Sequence, residues 1–347
     1  MVSQAILGSK GTVLVSGASG FIAAHVIQQF VESGYKVVGT VRNQTSIDNF
    51  KKTSTYQQYS DYIRLEIVAD ISAAGAFDEA VKGVDGVIHT QSPFVLNVQD
   101  NEKDLLIPAI QGTVGILKSI KENNPFVKRV VVTSSFAAIV DLSKGVHRDH
   151  VYSEKDWNPV TYEEGKATDI GAVAYCASKV LAEKAAHEFV AKEKPNFTVA
   201  TINPPMVYGP NLHYISDLSR LGESPALIYS LINGSLVESG VPETGFPAWV
   251  DVRDVALAHL RAYENPKSAG QRYFVTAGSF LYDEMCQTIL DNFPQFKGKV
   301  PVPTGANTLD GLYRTDNTKA RTELGINFRS LEECTIDSVN SFLPLLK

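Results

Sequence analysis

The sequence predicts an α/β protein built on a doubly wound parallel sheet with a smaller C-terminal lobe, and three observations predict it. A β-rich run, Thr12–Ser16, passes through the turn Gly17-Ala18-Ser19-Gly20 straight into a helical stretch. Apolar β-rich runs and helical stretches then alternate along the chain, the signature of a parallel sheet with helices on both faces. Finally, 347 residues of which 44% are apolar can bury one large core with an appended lobe.

In the first unit, Gly17 permits the tight turn, Gly20 lets backbone approach a ligand, and Ala23 is small enough for the helix to lie on the sheet. Free N–H groups and the dipole at the helix start suit a phosphate, with Ser19, Phe21 and Ile22 as neighbouring contacts. A Gly-x-x-Gly alone is also an ordinary βα turn. Strand before and helix after make this one a dinucleotide fingerprint and the sheet Rossmann-type. The helix over 21–33 stops at Gly34, and a second strand follows over 36–42. No acid stands near its end, where an NAD site places one on the ribose hydroxyls. Arg42 stands there, and its planar guanidinium suits a 2′-phosphate, so the expected cofactor is NADPH/NADP+.

Further strands are expected over 62–68, 86–90, 129–134, 198–202 and 272–276, with helices over 73–82, 102–123 and 172–192. After Asn203, Pro204, Pro205 and Pro210 interrupt the pattern; a return to the sheet is expected over 249–262, and short helices after Phe280. The expected division is a tail over 1–11, a cofactor-binding domain over 12–204 with returning segments over about 249–276, and a substrate-binding lobe over 205–248 and 277–347.

Ligands in open α/β sheets bind beyond the carboxyl ends of the strands. After the third strand, Asp70 suits an adenine amine and Ile71 its face, although Asp70 suits a helix cap equally well. Thr90-Gln91-Ser92-Pro93-Phe94 follows the fourth and would run beside ribose and pyrophosphate, with Thr90 and Ser92 on the cofactor and Phe94 as a substrate wall. Thr133-Ser134-Ser135 ends the fifth and offers a hydroxyl to a carbonyl oxygen. Thr133, Tyr175, Lys179, Pro204 and Val207 are further expected cofactor contacts, Lys179 on the nicotinamide ribose hydroxyls. Phe136, Val140, Pro205, Met206, Tyr208 and Phe246 are candidate pocket walls, though such residues also serve as plain core.

Tyr175 and Lys179 lie four residues apart in a helical stretch, hence one turn apart on one face. A free phenol titrates near ~10, and an ammonium beside it lowers that value, giving a proton donor of the kind carbonyl reduction needs. The same spacing is common on exposed helix faces; the glycine turn and the strand-end hydroxyls are what give it chemical meaning.

A net charge of −6 and a pI near 5.7 leave no basic patch, which argues against nucleic acid and anionic membranes. No apolar run reaches the ~18 residues of a membrane span. Residues 1–11 lack the apolar core of a secretory signal. A cytoplasmic monomer or homodimer acting on a small molecule is expected. Three widely spaced cysteines suggest neither a disulfide framework nor a zinc site, and the sequons at Asn196 and Asn233 are expected to stay unused. His147-Arg148-Asp149-His150 lacks a third ligand at recognisable spacing and is expected as a solvated loop, so no metal is expected. No Gly-x-Ser-x-Gly elbow supports a serine hydrolase.

The glycine turn, Thr133-Ser134-Ser135, Tyr175-x-x-x-Lys179 and Trp249-Val250-Asp251-Val252-Arg253-Asp254-Val255-Ala256 together resemble the extended short-chain dehydrogenase/reductases over nearly the whole chain. Ser92-Pro93-Phe94, Asp104-Leu105-Leu106-Ile107-Pro108-Ala109, Trp157-Asn158-Pro159 and Gly270-Gln271-Arg272 resemble, more narrowly, the fungal NADPH-dependent methylglyoxal and aldehyde/ketone reductases, relatives of plant dihydroflavonol reductases. The resemblance implies hydride transfer from NADPH to aldehydes, ketones or 2-oxoaldehydes by a Ser135, Tyr175 and Lys179 set. Ser135 is taken over Ser134 because the family uses the second serine. It also implies Arg42 on the 2′-phosphate. Three positions depart from the pattern: Gln91 in place of Ala, Ser46 in place of a second phosphate-binding Lys, and Pro205-Met206 in place of Val-Tyr. They bear on the ribose side, the NADPH preference and the pocket shape. Two alternatives stay open. A nucleotide-sugar epimerase or dehydratase would use the same Tyr and Lys but usually places an acid after the second strand. A non-catalytic NADP-binding sensor is argued against by the intact Ser-Tyr-Lys set.

Overall fold

The computed structural model describes residues 7–92 and 98–346. The chain opens with β1 (Thr12–Ser16), α1 (Phe21–Glu32) and β2 (Lys36–Val41), the two strands parallel with Val13 opposite Val37. Gly34 ends α1 in a Schellman turn. At φ +100 it donates its N–H to the Val31 carbonyl at 3.0 Å, while Tyr35 donates to that of Phe30 at 3.0 Å. Val26, Ile27 and Phe30 are buried along the inner face of α1, each contributing about 1.5–3 kcal/mol of transfer energy.

Two short helices, α2 (Gln44–Phe50) and α3 (Ser54–Tyr59), are capped by the side chains of Asn43 and Thr53 and lead to β3 (Ile63–Ile67). The helix expected over 73–82 does not form; the chain makes linked turns from 71 to 83 before β4 (Gly86–His89). Gly75 is the reason. It stands at φ +71, outside the helical region, and a Cβ there would lie 2.7 Å from a carboxylate oxygen of Asp78. Phe77 and Val81 still reach the core from these turns.

A single wide turn at Glu102–Leu106 precedes α4 (Ile107–Asn123), whose Pro108 sits in the first turn where its missing N–H costs nothing. Next come β5 (Arg129–Thr133), β6 (Val151–Tyr152), α5 (Tyr162–Ala167), α6 (Gly171–Glu193) and β7 (Thr198–Asn203). The remainder comprises β8 (Met206–Tyr208), α7 (Glu223–Ile232), β9 (Ala248–Asp251), α8 (Val252–Glu264), β10 (Arg272–Phe274), β11 (Gly278–Ser279), α9 (Tyr282–Asn292), β12 (Arg314–Thr315), α10 (Thr318–Leu324) and α11 (Leu331–Phe342).

Seven strands form a sheet in the order β10-β7-β5-β4-β1-β2-β3, every pair parallel. The order reverses between β1 and β4, which opens a crevice at their carboxyl ends. The expected return to this sheet over 249–262 is not made. β9 lies between β8 and β11 in a separate three-stranded sheet, and α8 packs on α1. Pro204 and Pro205 explain the departure, because neither can donate to the ladder where β7 ends. The small sheet with α7, α9 and α11 encloses its own apolar core, including Ile228, Leu231, Trp249, Phe280, Met285 and Phe342. Among the described residues no helix is long and apolar enough to cross a membrane.

Candidate active site

A cleft of about 720 Å³ opens at the carboxyl ends of β1, β4 and β5 and is closed on its other side by residues of β8 and the start of α7. At its floor, Gly17 stands at φ +70. A Cβ on Gly17 would meet the Gln91 side chain at 3.1 Å, and one on Gly20 would meet the Gly17 carbonyl at 3.2 Å. α1 begins here with neither a side-chain cap nor an acid in its first turn, so its first N–H groups face the cleft unclaimed. Ser19, Phe21 and Ile22 line the same end, and Arg42 lies beside it with Asn43 and Ser46. Arg42 is exposed and makes no ion pair among the described residues; Ser46 donates to the Asn43 side chain that caps α2. Gln91 Oε1 is a buried acceptor without a hydrogen-bond partner among the described residues. A glycine cradle, uncapped helix N–H groups, a free guanidinium and an unclaimed acceptor together fit a phosphorylated dinucleotide.

α6 carries Tyr175 and Lys179 to the middle of the cleft wall, the ammonium 5.3 Å from the centre of the phenol ring. Lys179 is buried and makes no ion pair among the described residues; burial lowers its ammonium to about 8. Burial also acts on Tyr175, pushing its phenol well above the ordinary value, while a side-chain hydrogen bond with Ser135 pulls it back. The sequence led us to expect the ammonium to depress the phenol. In the structure desolvation dominates both groups.

Ser134 and Ser135 are adjacent yet separated in role. The Ser134 hydroxyl donates to Glu183, a fully buried carboxylate that also accepts from Thr201 Oγ1 at 2.9 Å, Asn203 Nδ2 at 2.7 Å and Arg272 Nε at 2.5 Å. Asn203 Nδ2 further donates to the Ser135 carbonyl at 3.2 Å. Ser135 Oγ accepts from the Ala137 N–H at 3.1 Å, a turn that holds the hydroxyl beside Tyr175. The guanidinium of Arg272 lies 3.5 Å over the Trp157 ring and donates to the carbonyls of Glu154 and Asp156 at 2.6 and 2.7 Å. These bonds join β5, α6, β7 and β10 directly beneath the cleft.

Thr90 and Thr133 line the cleft but are engaged: Thr90 Oγ1 donates to the Ser16 carbonyl, and Thr133 Oγ1 bonds His259 Nε2 at 2.7 Å. Ser92, Pro204 and Val207 also line it, as do Phe136, Val140, Pro205, Met206 and Phe246 of the expected walls. Phe136 serves the core as well, stacked on Phe274 at 4.8 Å.

Several expected residues stand elsewhere. Tyr208 is buried in the lobe, its hydroxyl 3.1 Å from that of Tyr282. Asp70 accepts from the N–H and hydroxyl of Ser72 at 2.9 and 2.6 Å, and Ile71 packs against Gly112 of α4; neither borders the cleft. Phe94 lies outside the described residues. In His147-Arg148-Asp149-His150, expected as a solvated loop, Arg148 and Asp149 are exposed in a turn, while the two half-buried imidazoles stack at 4.2 Å and His150 Nε2 bonds Asp156 at 3.0 Å. Glu223, Asn43, Leu142 and Ala172 line the cleft without having been singled out from sequence. Their spacing matches no motif, and Glu223 lies in the irregular stretch after Pro210.

A family model described as the NAD dependent epimerase/dehydratase family matches residues 13–276. The chain is 40% identical to a ketoreductase of Aspergillus niger over 337 residues, 95% of this chain and 97% of that protein. It is 38% identical to an NADPH-dependent methylglyoxal reductase of Saccharomyces cerevisiae over 342 residues, 96% and 98% of the two chains. The crystal structure of a yeast methylglyoxal/isovaleraldehyde reductase complexed with NADPH superposes with a TM-score of 0.82 at 35% identity, covering 96% of this chain and 99% of that one.

Proposed function

This chain belongs to the NAD dependent epimerase/dehydratase family, within the extended short-chain dehydrogenase/reductases, and on that premise we propose that it is an NADPH-dependent reductase of aldehydes, ketones and 2-oxoaldehydes of the methylglyoxal type. One observation carries the proposal: Ser135, Tyr175 and Lys179 meet on the wall of the same cleft that Gly17, Gly20 and Arg42 line. NADPH, when bound, supplies the hydride. Tyr175 keeps its proton well past neutral pH because its phenol is desolvated, and so holds it ready for the forming alkoxide. Ser135 orients the carbonyl oxygen. Lys179, titrating near 8, stays mostly charged at neutral pH and stabilises the phenolate left behind. The hydrogen bonds from Ser135 and Tyr175 strengthen as charge moves onto oxygen, which is selective binding of the transition state. Arg42, and the lack of an acid at the end of β2, support NADPH over NADH. Three free, buried cysteines support a cytoplasmic setting.

The test is consumption of NADPH or NADH by the purified protein with methylglyoxal, isovaleraldehyde, a diketone and an aryl ketone. NADPH is expected to be used well ahead of NADH; no turnover with either would overturn the proposal. Tyr175→Phe is expected to lower kcat by ~10²–10⁴ with NADPH binding near wild type. A variant keeping more than about a tenth of the rate would move the acid role to another group.

A further inference from the structure

Three charged side chains border the cleft among the described residues: Arg42, Lys179 and Glu223. The two cations stand where a phosphate and a ribose are expected. Glu223 has no such explanation. It is the first residue of α7, after Gly222, and its side chain is exposed to the cleft with neither a hydrogen bond nor an ion pair among the described residues. Burial is what chiefly raises the phenols of Tyr175, Tyr208 and Tyr282, and the Glu223 charge adds a smaller push to each, consistent with its place in the lining beside Tyr175, Met206 and Phe246. Met206, Pro225 and Phe246 line the same cleft and offer no counter-ion. The surrounding protein already holds the Glu223 carboxyl above its usual range by partial burial. A first-turn acid suits the α7 dipole, but that role does not require the carboxylate to face the cleft.

We propose that Glu223 sets the charge class of the substrate: the cleft favours carbonyl compounds whose far end carries a protonated amine or a hydroxyl donor, and disfavours those whose far end is a carboxylate. The proposal rests on the reductase function of this cleft. A carboxylate with no ion-pair partner among the described residues attracts a cation or donor and repels an anion, and because Glu223 is exposed to solvent in the cleft, salt screens the effect. An apolar wall alone would separate such substrates only by their solvation.

The test compares kcat/KM, with NADPH saturating, for three aryl ketones bearing an aminomethyl group, a methyl ester or a carboxylate at the far ring position. Wild type is expected to prefer the amine over the carboxylate by roughly tenfold or more at low salt, the ratio falling as salt is added. Glu223→Gln should bring the ratio within that enzyme close to one, and Glu223→Lys should invert it. Turnover of the ester with an amine-to-carboxylate ratio that neither variant changes would overturn this inference alone. Failure of wild type to reduce the ester or any other carbonyl would overturn the reductase function, and this inference with it.

Discussion

Two adjacent serines show how much a single position decides. Ser134 turns inward to Glu183, and Ser135 is held by the Ala137 N–H beside Tyr175. Only the second has a hydroxyl available to a ligand in the cleft. Arg42 belongs to this scale too, since among the described residues it has no ion-pair partner to satisfy before it meets a phosphate. Arg42→Ala is expected to raise the KM for NADPH by roughly tenfold to a hundredfold, the worth of a charge-assisted bidentate contact of about 1.5–3 kcal/mol, and to leave the KM for NADH nearly unchanged. Equal losses with both cofactors would remove Arg42 from the 2′-phosphate.

Among the elements, α6 does two jobs at once. Tyr175 and Lys179 face the cleft, while Glu183, one turn beyond Lys179, anchors the helix to β5, β7 and β10. The Glu183–Arg272 pair is buried on both sides, and removing one partner leaves the other charged and uncompensated. Arg272→Met is therefore expected to destabilise the fold by about 3–5 kcal/mol, measured as the shift in urea unfolding, with lost activity following lost stability. A change below about 1 kcal/mol would show that the pair is not carrying the junction. The same scale explains the missing helix over 73–82. A left-handed Gly75 outweighs a helical apolar spacing, because the spacing is satisfied equally well by turns that bury Phe77 and Val81.

Across the whole molecule, buried histidines tie stability to pH. Burial holds His25 and His259 to about 4 and His89 to about 3, whereas a histidine in the unfolded chain takes its proton near ~6.5. Between those values the unfolded chain binds protons that the folded chain does not, so stability that is whole above pH ~6.5 is lost as the pH falls towards 4. Each histidine contributes about 1.4 kcal/mol per pH unit in that window. Tm is expected to fall steadily from pH 7 to pH 5; a flat profile would mean that these imidazoles are not held neutral in the fold.

What the sequence determined by itself lies in short segments. The strand, the glycine turn and the helix start at 12–32 are local, because a tight turn needs a glycine whatever surrounds it. The Tyr175–Lys179 pair is equally local, since helical spacing alone puts both on one face. The register of alternating strands and helices likewise follows from side-chain periodicity. Only the tertiary structure decided the rest. It decided that Pro204 and Pro205 send β9 into a second sheet and that Tyr208 is spent on Tyr282. It decided too that Asp70 closes on Ser72, and that Glu223 enters the cleft from a stretch without a motif. Desolvation also belongs to it: the phenol and ammonium are shifted by the burial around them more than by each other. These outcomes depend on which distant segments pack together, and neither periodicity nor a four-residue spacing contains that information.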